Sequence, residues 1–214
     1  MHRARNEKFF KGEKVISLRK CAIPTFTYTD FDCYVSAMYY VIQTNRFNMK
    51  YLTGLLNSNL IKFWLKNQGK MQGDIFQVDK EPLLKIPVKV AETEIQEKIG
   101  NLVLRLIEQI KLLKNSLETC LEAIKLNYNL QTIPSKLNEF YKMGINPFKE
   151  ELIGCGVEIG IDKIETLMNW YKEKSSMLLN IEKDIQTLET AINQEIYTLY
   201  NISAEEIKII EGVG

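Results

Sequence analysis

The sequence predicts an α+β chain, with a small strand-rich domain over residues 1–90 followed by a long antiparallel helical hairpin over residues 91–214. Three observations carry that expectation. β-Branched and aromatic residues cluster in short runs before residue 45, as strands require. Beyond residue 92, apolar residues recur at three- and four-residue spacing over two long stretches, the signature of amphipathic helices. The charge changes sign at the same border. Residues 1–90 hold 15 Lys/Arg against 7 Asp/Glu, whereas residues 91–214 hold 13 against 20. The first half can approach a polyanion; the second should not.

Taken in order, Lys14–Arg19, Thr25–Thr29 and Ala37–Gln43 read as strands, with Pro24 and the Asp30/Asp32 pair as turns between them. An antiparallel sheet with short connections follows. A helix is expected from Asn48 to Lys66, with Leu52, Leu55, Leu56, Leu60, Phe63 and Trp64 as its apolar face and Asn48 as N-cap. Asn67–Asp74, polar and with two glycines, reads as a loop. Ile75–Val78 and Leu84–Val88 read as short strands, with Pro82 and Pro87 marking edges.

The first long helix should run from Thr93 to about Asn127, with Ile99, Leu106, Leu113 and Ile124 among its apolar stripe and Thr93/Gln96 as a capping box. The connection to Gly160 carries short helices at Ser135–Met143 and Pro147–Ile153, the latter begun by Asn146 as N-cap and Pro147 at the first helical position. A second long helix spans Asp162–Tyr200, and Ser203-Ala-Glu-Glu206 opens a final one through Ile210. Each long helix has one apolar stripe and must bury it. Pairing within the chain is the economical solution; pairing between two copies, and hence self-association, is the alternative.

Composition excludes several classes. No apolar run approaches the roughly 20 residues of a membrane span, and the N-terminal Met-His-Arg-Ala-Arg lacks the apolar stretch of a secretory signal. A cytoplasmic location without a membrane partner is the expectation. Cys21, Cys33, Cys120 and Cys155 lack the spacing of a metal site, and His2 is the only histidine. Neither a metal nor a disulfide is therefore expected. No glycine-rich turn joins a strand to a helix, and a serine or cysteine nucleophile would lack a histidine base beyond His2. Glu150-Glu151 and Glu205-Glu206 fit the first turns of helices. Catalytic residues are thus expected to be none. What remains is a binding surface of Arg3, Arg5, Arg19, Lys20, Arg46, Lys66, Lys70 and Lys80 interleaved with amides. On composition alone, the polar segment around Asn67, Gln68, Lys70, Gln72 and Asp74 reads as a solvated loop before it reads as a binding one.

Several stretches then resemble a known family. Leu52-Thr-Gly-Leu-Leu-Asn-Ser-Asn59, Phe63-Trp-Leu-Lys66 and Leu84-Lys-Ile-Pro87 are similar to the C-terminal specificity region of TaqI-like adenine-specific DNA methyltransferases, which type IIG restriction–modification enzymes share. The opening His2-Arg-Ala-Arg5 and Phe10–Ile16 resembles the start of their target recognition domain, and Ile192–Asn201 with Ser203–Glu211 resembles their tail. The departures are Asn201, where glycine is usual, and Ala191 and Asn193, near usual acidic positions.

The resemblance implies that double-stranded DNA is the partner. It also implies an upstream methyltransferase domain that holds S-adenosylmethionine and an Asn-Pro-Pro-Tyr-type motif, neither of which belongs to this chain. No cofactor is expected here. Base readout is expected at Lys70, Gln72, Asp74 and Gln77, and phosphate contact at Arg19, Lys20, Arg46 and Lys80. The helical part would serve as scaffold, spacer or partner contact. Rival readings are a half-specificity subunit of a type I system, a helical interaction or dimerisation module with no nucleic-acid role, and an autonomous enzyme.

Overall fold

A computed structural model describes residues 6–68, 70–72, 75–77 and 80–212, the two short stretches at 70–72 and 75–77 by their backbone. The fold is α+β: a small antiparallel sheet leads into long helices. The chain forms two compact units, residues 1–105 with 188–214, and residues 106–187.

In the first unit, β1 (Lys14–Leu18), β3 (Phe26–Thr29) and β4 (Tyr39–Ile42) make an antiparallel sheet of order β3-β1-β4. Val15 lies opposite both Tyr28 and Ile42. β2 (Lys20–Cys21) leaves this sheet one residue after β1 and pairs elsewhere. Helix α1 (Met49–Asn57) covers the sheet with Tyr51, Leu52, Leu55 and Leu56 buried. Its start is capped as expected: Asn48 Oδ1 accepts from the Lys50 and Tyr51 amides at 2.9 and 3.3 Å. Asn57 closes the edge of β3 like a neighbouring strand. Its Oδ1 accepts from Phe26 N at 2.9 Å, and its Nδ2 donates to Phe26 O at 2.7 Å.

Four local expectations are corrected. The helix expected from Asn48 to Lys66 is two, α1 and α2 (Asn59–Gln68). Ser58 is extended between them, its hydroxyl donating to Leu55 O at 2.7 Å and accepting from Ile61 N at 3.3 Å. The expected loop at Asn67–Asp74 instead ends α2 at Gln68 and continues into β5 (Lys70–Gln72), which pairs with β6 (Ile75–Gln77) in a sheet of order β2-β6-β5. The strand expected at Leu84–Val88 is replaced by the end of α3 (Lys80–Leu84) and an irregular run in which Val88 N donates to Ile86 O at 2.9 Å. That run's backbone is held by tyrosines rather than by strands. Tyr51 donates to Lys89 O at 2.7 Å, and Tyr200 donates to Pro87 O at 2.6 Å while accepting from Lys89 N at 2.9 Å. The Thr93/Gln96 capping box does not form. Gln96 instead accepts from Asn48 N at 2.9 Å and donates to Ala91 O at 2.8 Å, tying α4 (Thr93–Asn127) to the start of α1.

The core of the first unit is completed by helix ends. Ile99 and Val103 of α4 are buried together with Ile192 and Ile196 of α6 (Ile161–Tyr200). Lys98 and Glu195 form an ion pair at 2.8 Å, so the start of α4 meets the end of α6. Asn193 Oδ1 accepts from Asn59 N at 2.8 Å, satisfying an amide in the first turn of α2. The chain ends in α7 (Ala204–Glu211), opened by the expected Ser203/Glu206 capping box and closed by Gly212 at φ 69°.

In the second unit, Cys120 and Ile124 of α4 share a core with Leu167, Tyr171 and Leu178 of α6. The C-terminal part of α4 thus meets the N-terminal half of α6, as in an antiparallel pair. The connection supplies most of the remaining core. Ser135–Lys142 is a 3-10 helix and Ile145–Gly154 is α5, which place Phe140 and Phe148 fully buried against Trp170 and Tyr171. α5 starts earlier than expected. Gly144 is its N-cap, and Asn146 and Pro147 fall within the first turn, where proline's missing N–H costs nothing.

Candidate nucleic-acid interface

The register of the β2-β6-β5 sheet gathers residues that lie far apart in sequence. Gln77 is the partner of Lys20 on one side and of Lys70 on the other, so the three occupy one cross-strand row. Gln72 stands two residues along β5, opposite Ile75, and the pleat returns that position to the same side of the sheet. The intervening row is Cys21, Phe76 and Met71. One row is thus polar and the next apolar, while the third pairs Gln72 with Ile75. Asp74 and the side chains of Lys70, Gln72 and Gln77 lie outside the described residues.

Arg19 immediately precedes β2. Its backbone N–H donates to Met38 O at 3.0 Å, and its exposed guanidinium lies 5.3 Å from the Tyr40 ring centroid, a cation–π contact that steadies the side chain without neutralising it. Lys80, exposed, opens α3 three residues after Gln77. Arg46, also exposed, sits in the turn between β4 and α1 with its guanidinium 5.8 Å from the Phe47 ring. No described contact joins Arg46 to the row. Among the described residues, none of Arg19, Lys20, Arg46 and Lys80 has an ion-pair partner.

Other cations of the basic half are already committed. Lys11 pairs with Glu7, Lys50 with Glu13 and Lys85 with Glu81. The Tyr28 hydroxyl, donating to Glu13 at 2.6 Å, and the Lys50 ammonium hold the Glu13 carboxyl below its ordinary range. Lys14 is fully buried, its Nζ donating to Gly12 O at 2.6 Å and Phe31 O at 2.7 Å. The positive charge available to a ligand is thus narrower than the count of basic residues suggests. Among the described residues it includes Arg19, Lys20, Arg46 and Lys80, with Lys8 beside the Phe9 ring and Lys62 and Lys66 of α2, none of them in an ion pair. Lys62 was not singled out by sequence. The signal was present in the i, i+4 spacing of Lys62 and Lys66 on the side of α2 away from its buried residues, Ile61 and Leu65.

Among the described residues there is no group of three or more His, Cys, Asp or Glu side chains able to hold a metal ion. No described helix is long and apolar enough to cross a membrane.

The small sheet thus sets Lys20, Gln77 and Lys70 in one cross-strand row, with Arg19 and Lys80 exposed beside it in the chain. Residues 1–88 match the family model of the TaqI-like C-terminal specificity domain. That match supports a target-recognition region of a TaqI-like methyltransferase in this stretch, with a DNA-recognition role in a restriction–modification protein. Residues 92–196 match a second family model, a domain of unknown function, DUF8810. The sequence matches no curated protein.

Proposed function

We propose that the chain fixes and reads duplex DNA for a methyltransferase domain outside these residues, in an enzyme of the type IIG class. Arg19, Lys20, Arg46 and Lys80 hold phosphates, which sets position but carries no sequence information. Lys70, Gln72, Asp74 and Gln77 read base edges, amides pairing with adenine and lysine with guanine in the major groove. The observation that carries this reading is the Lys20–Gln77–Lys70 row, which puts a phosphate-binding candidate beside two base-reading ones. The helical part acts as the scaffold on which this sheet is mounted.

S-Adenosylmethionine belongs, in this reading, to the methyltransferase domain. The described residues do not fit it. Among the described residues the glycines with positive φ are Gly12, before β1, and Gly156 and Gly212, after α5 and α7. None opens a helix after a strand, where a nucleotide-like cofactor is cradled.

The test is selection of bound duplexes from a randomised pool by the full chain and by its Q72A/Q77A variant. The variant should lose preference at one or two base positions, a discrimination of about 1–3 kcal/mol for each paired contact. An unchanged preference would remove these residues from base readout.

A further inference from the structure

Beyond these candidates, α2 carries a largely polar stripe. Asn59, Lys62, Phe63, Lys66 and Asn67 fall at i, i+3, i+4, i+7 and i+8, one face of a helix. All five line a single open cleft of about 730 Å³ within the first unit. Lys62 and Lys66 stand one turn apart, and like charges at that spacing weaken a helix unless an anion lies between them. Asn67 Nδ2 donates to Phe63 O at 2.8 Å, fixing the amide at the rim. The wall opposite includes Ile23, 63% exposed, and the end of α7. Glu211, the one carboxylate in the lining, accepts from the Tyr197 hydroxyl at 3.2 Å.

Two ammonium groups around an aromatic ring, beside an exposed apolar side chain, suit a ligand that alternates phosphate with sugar. We propose that this cleft takes a stretch of the DNA sugar–phosphate backbone, with Lys62 and Lys66 on neighbouring phosphates and Phe63 and Ile23 against the deoxyribose between them. Lys70 opens β5 four residues along the chain from Lys66. The proposal rests on the DNA-recognition reading and extends the contact surface to a helix face that reading does not use.

The experiment is the salt dependence of binding to a fluorescein-labelled duplex by the full chain, followed by anisotropy. For K62A/K66A the slope of log affinity against log salt should become shallower by about 1.8, at roughly 0.9 for each phosphate no longer neutralised. K62R/K66R keeps the charges and should keep the slope. F63A should weaken binding several-fold with the slope intact, and E211Q should tighten it by removing a like charge from the phosphates. A K62A/K66A slope equal to that of the parent chain overturns the cleft assignment while leaving DNA recognition standing. Absence of salt-dependent binding by the parent chain overturns the recognition reading, and this inference with it.

Discussion

Single residues decide which charges reach solvent. Lys14 counts toward the basic half in sequence, yet its ammonium is buried and serves two carbonyls, Gly12 O and Phe31 O. No periodicity marks it, because its burial depends on the β3–β4 loop folding back over β1. K14M should leave those carbonyls without their donor and cost about 1–3 kcal/mol, read as a shift in the urea midpoint. The salt slope of DNA binding should not change, since this charge faces no ligand. Glu13 makes a pH prediction. Its folded value is lowered from 4.5, first by the Tyr28 hydroxyl and then by Lys50. A lowered carboxyl stabilises the fold fully above pH 4.5, and the contribution is lost as pH falls through the folded value. E13Q should therefore flatten the acid limb of a stability-against-pH curve in that window. The effect is small, because the side chain is half exposed. Unchanged curvature would mean the Tyr28–Glu13–Lys50 cluster does not form in solution.

At the scale of elements, long periodic stretches were legible and short ones were not. α4 and α6 begin and end within a residue of their expected limits, because a stripe sustained over many turns averages out local ambiguity. The break at Ser58 was hidden by the apolar face of Leu52, Leu55, Leu56, Leu60 and Phe63, which continues across it. The signal that could have shown it is Asn57-Ser58-Asn59, three consecutive residues that compete for backbone hydrogen bonds. β5 and β6 are three residues each, too short for alternation to be read, and their pairing with β2 depends on contacts distant in sequence. The motif that carries the family resemblance proves to be scaffold. Asn57 closes the edge of β3, Ser58 turns the chain, and Asn59 is held by Asn193, one of the departures, which supplies an acceptor oxygen just as an acidic residue there would. Asn201, the other main departure, adopts φ 54°, a conformation asparagine tolerates better than most residues. Gly54 of the same motif is a packing requirement. A Cβ there would stand 2.8 Å from Val103 Cγ2 and 3.1 Å from Ile99 Cγ2. Alanine normally favours a helix over glycine by about 1 kcal/mol, so the sign is diagnostic. G54A should lower the melting temperature, and a rise would show that α1 and α4 stand further apart than these distances.

For the whole molecule, sequence families and compact units do not share borders. The matched stretches meet between residues 88 and 92, whereas the division into compact units runs through both long helices. The reason is that the specificity domain does not close its own core. Gly54 stands against Val103, Ile99 and Ile192 of the helices, and Tyr200 holds the segment between the two matched stretches. A chain ending at residue 90 should expose this apolar surface and fail to show cooperative unfolding, while residues 1–214 unfold cooperatively; calorimetry of the two distinguishes them. In the reading proposed above, basic side chains of the first 90 residues, and not the acid-rich long helices, meet the polyanion. That claim is tested most directly by comparing the salt dependence of duplex binding for the full chain and its R19A/K20A/R46A/K80A variant. The slope should be shallower by about 3.6 in the variant, at roughly 0.9 per phosphate. Equal slopes in the two proteins would contradict it.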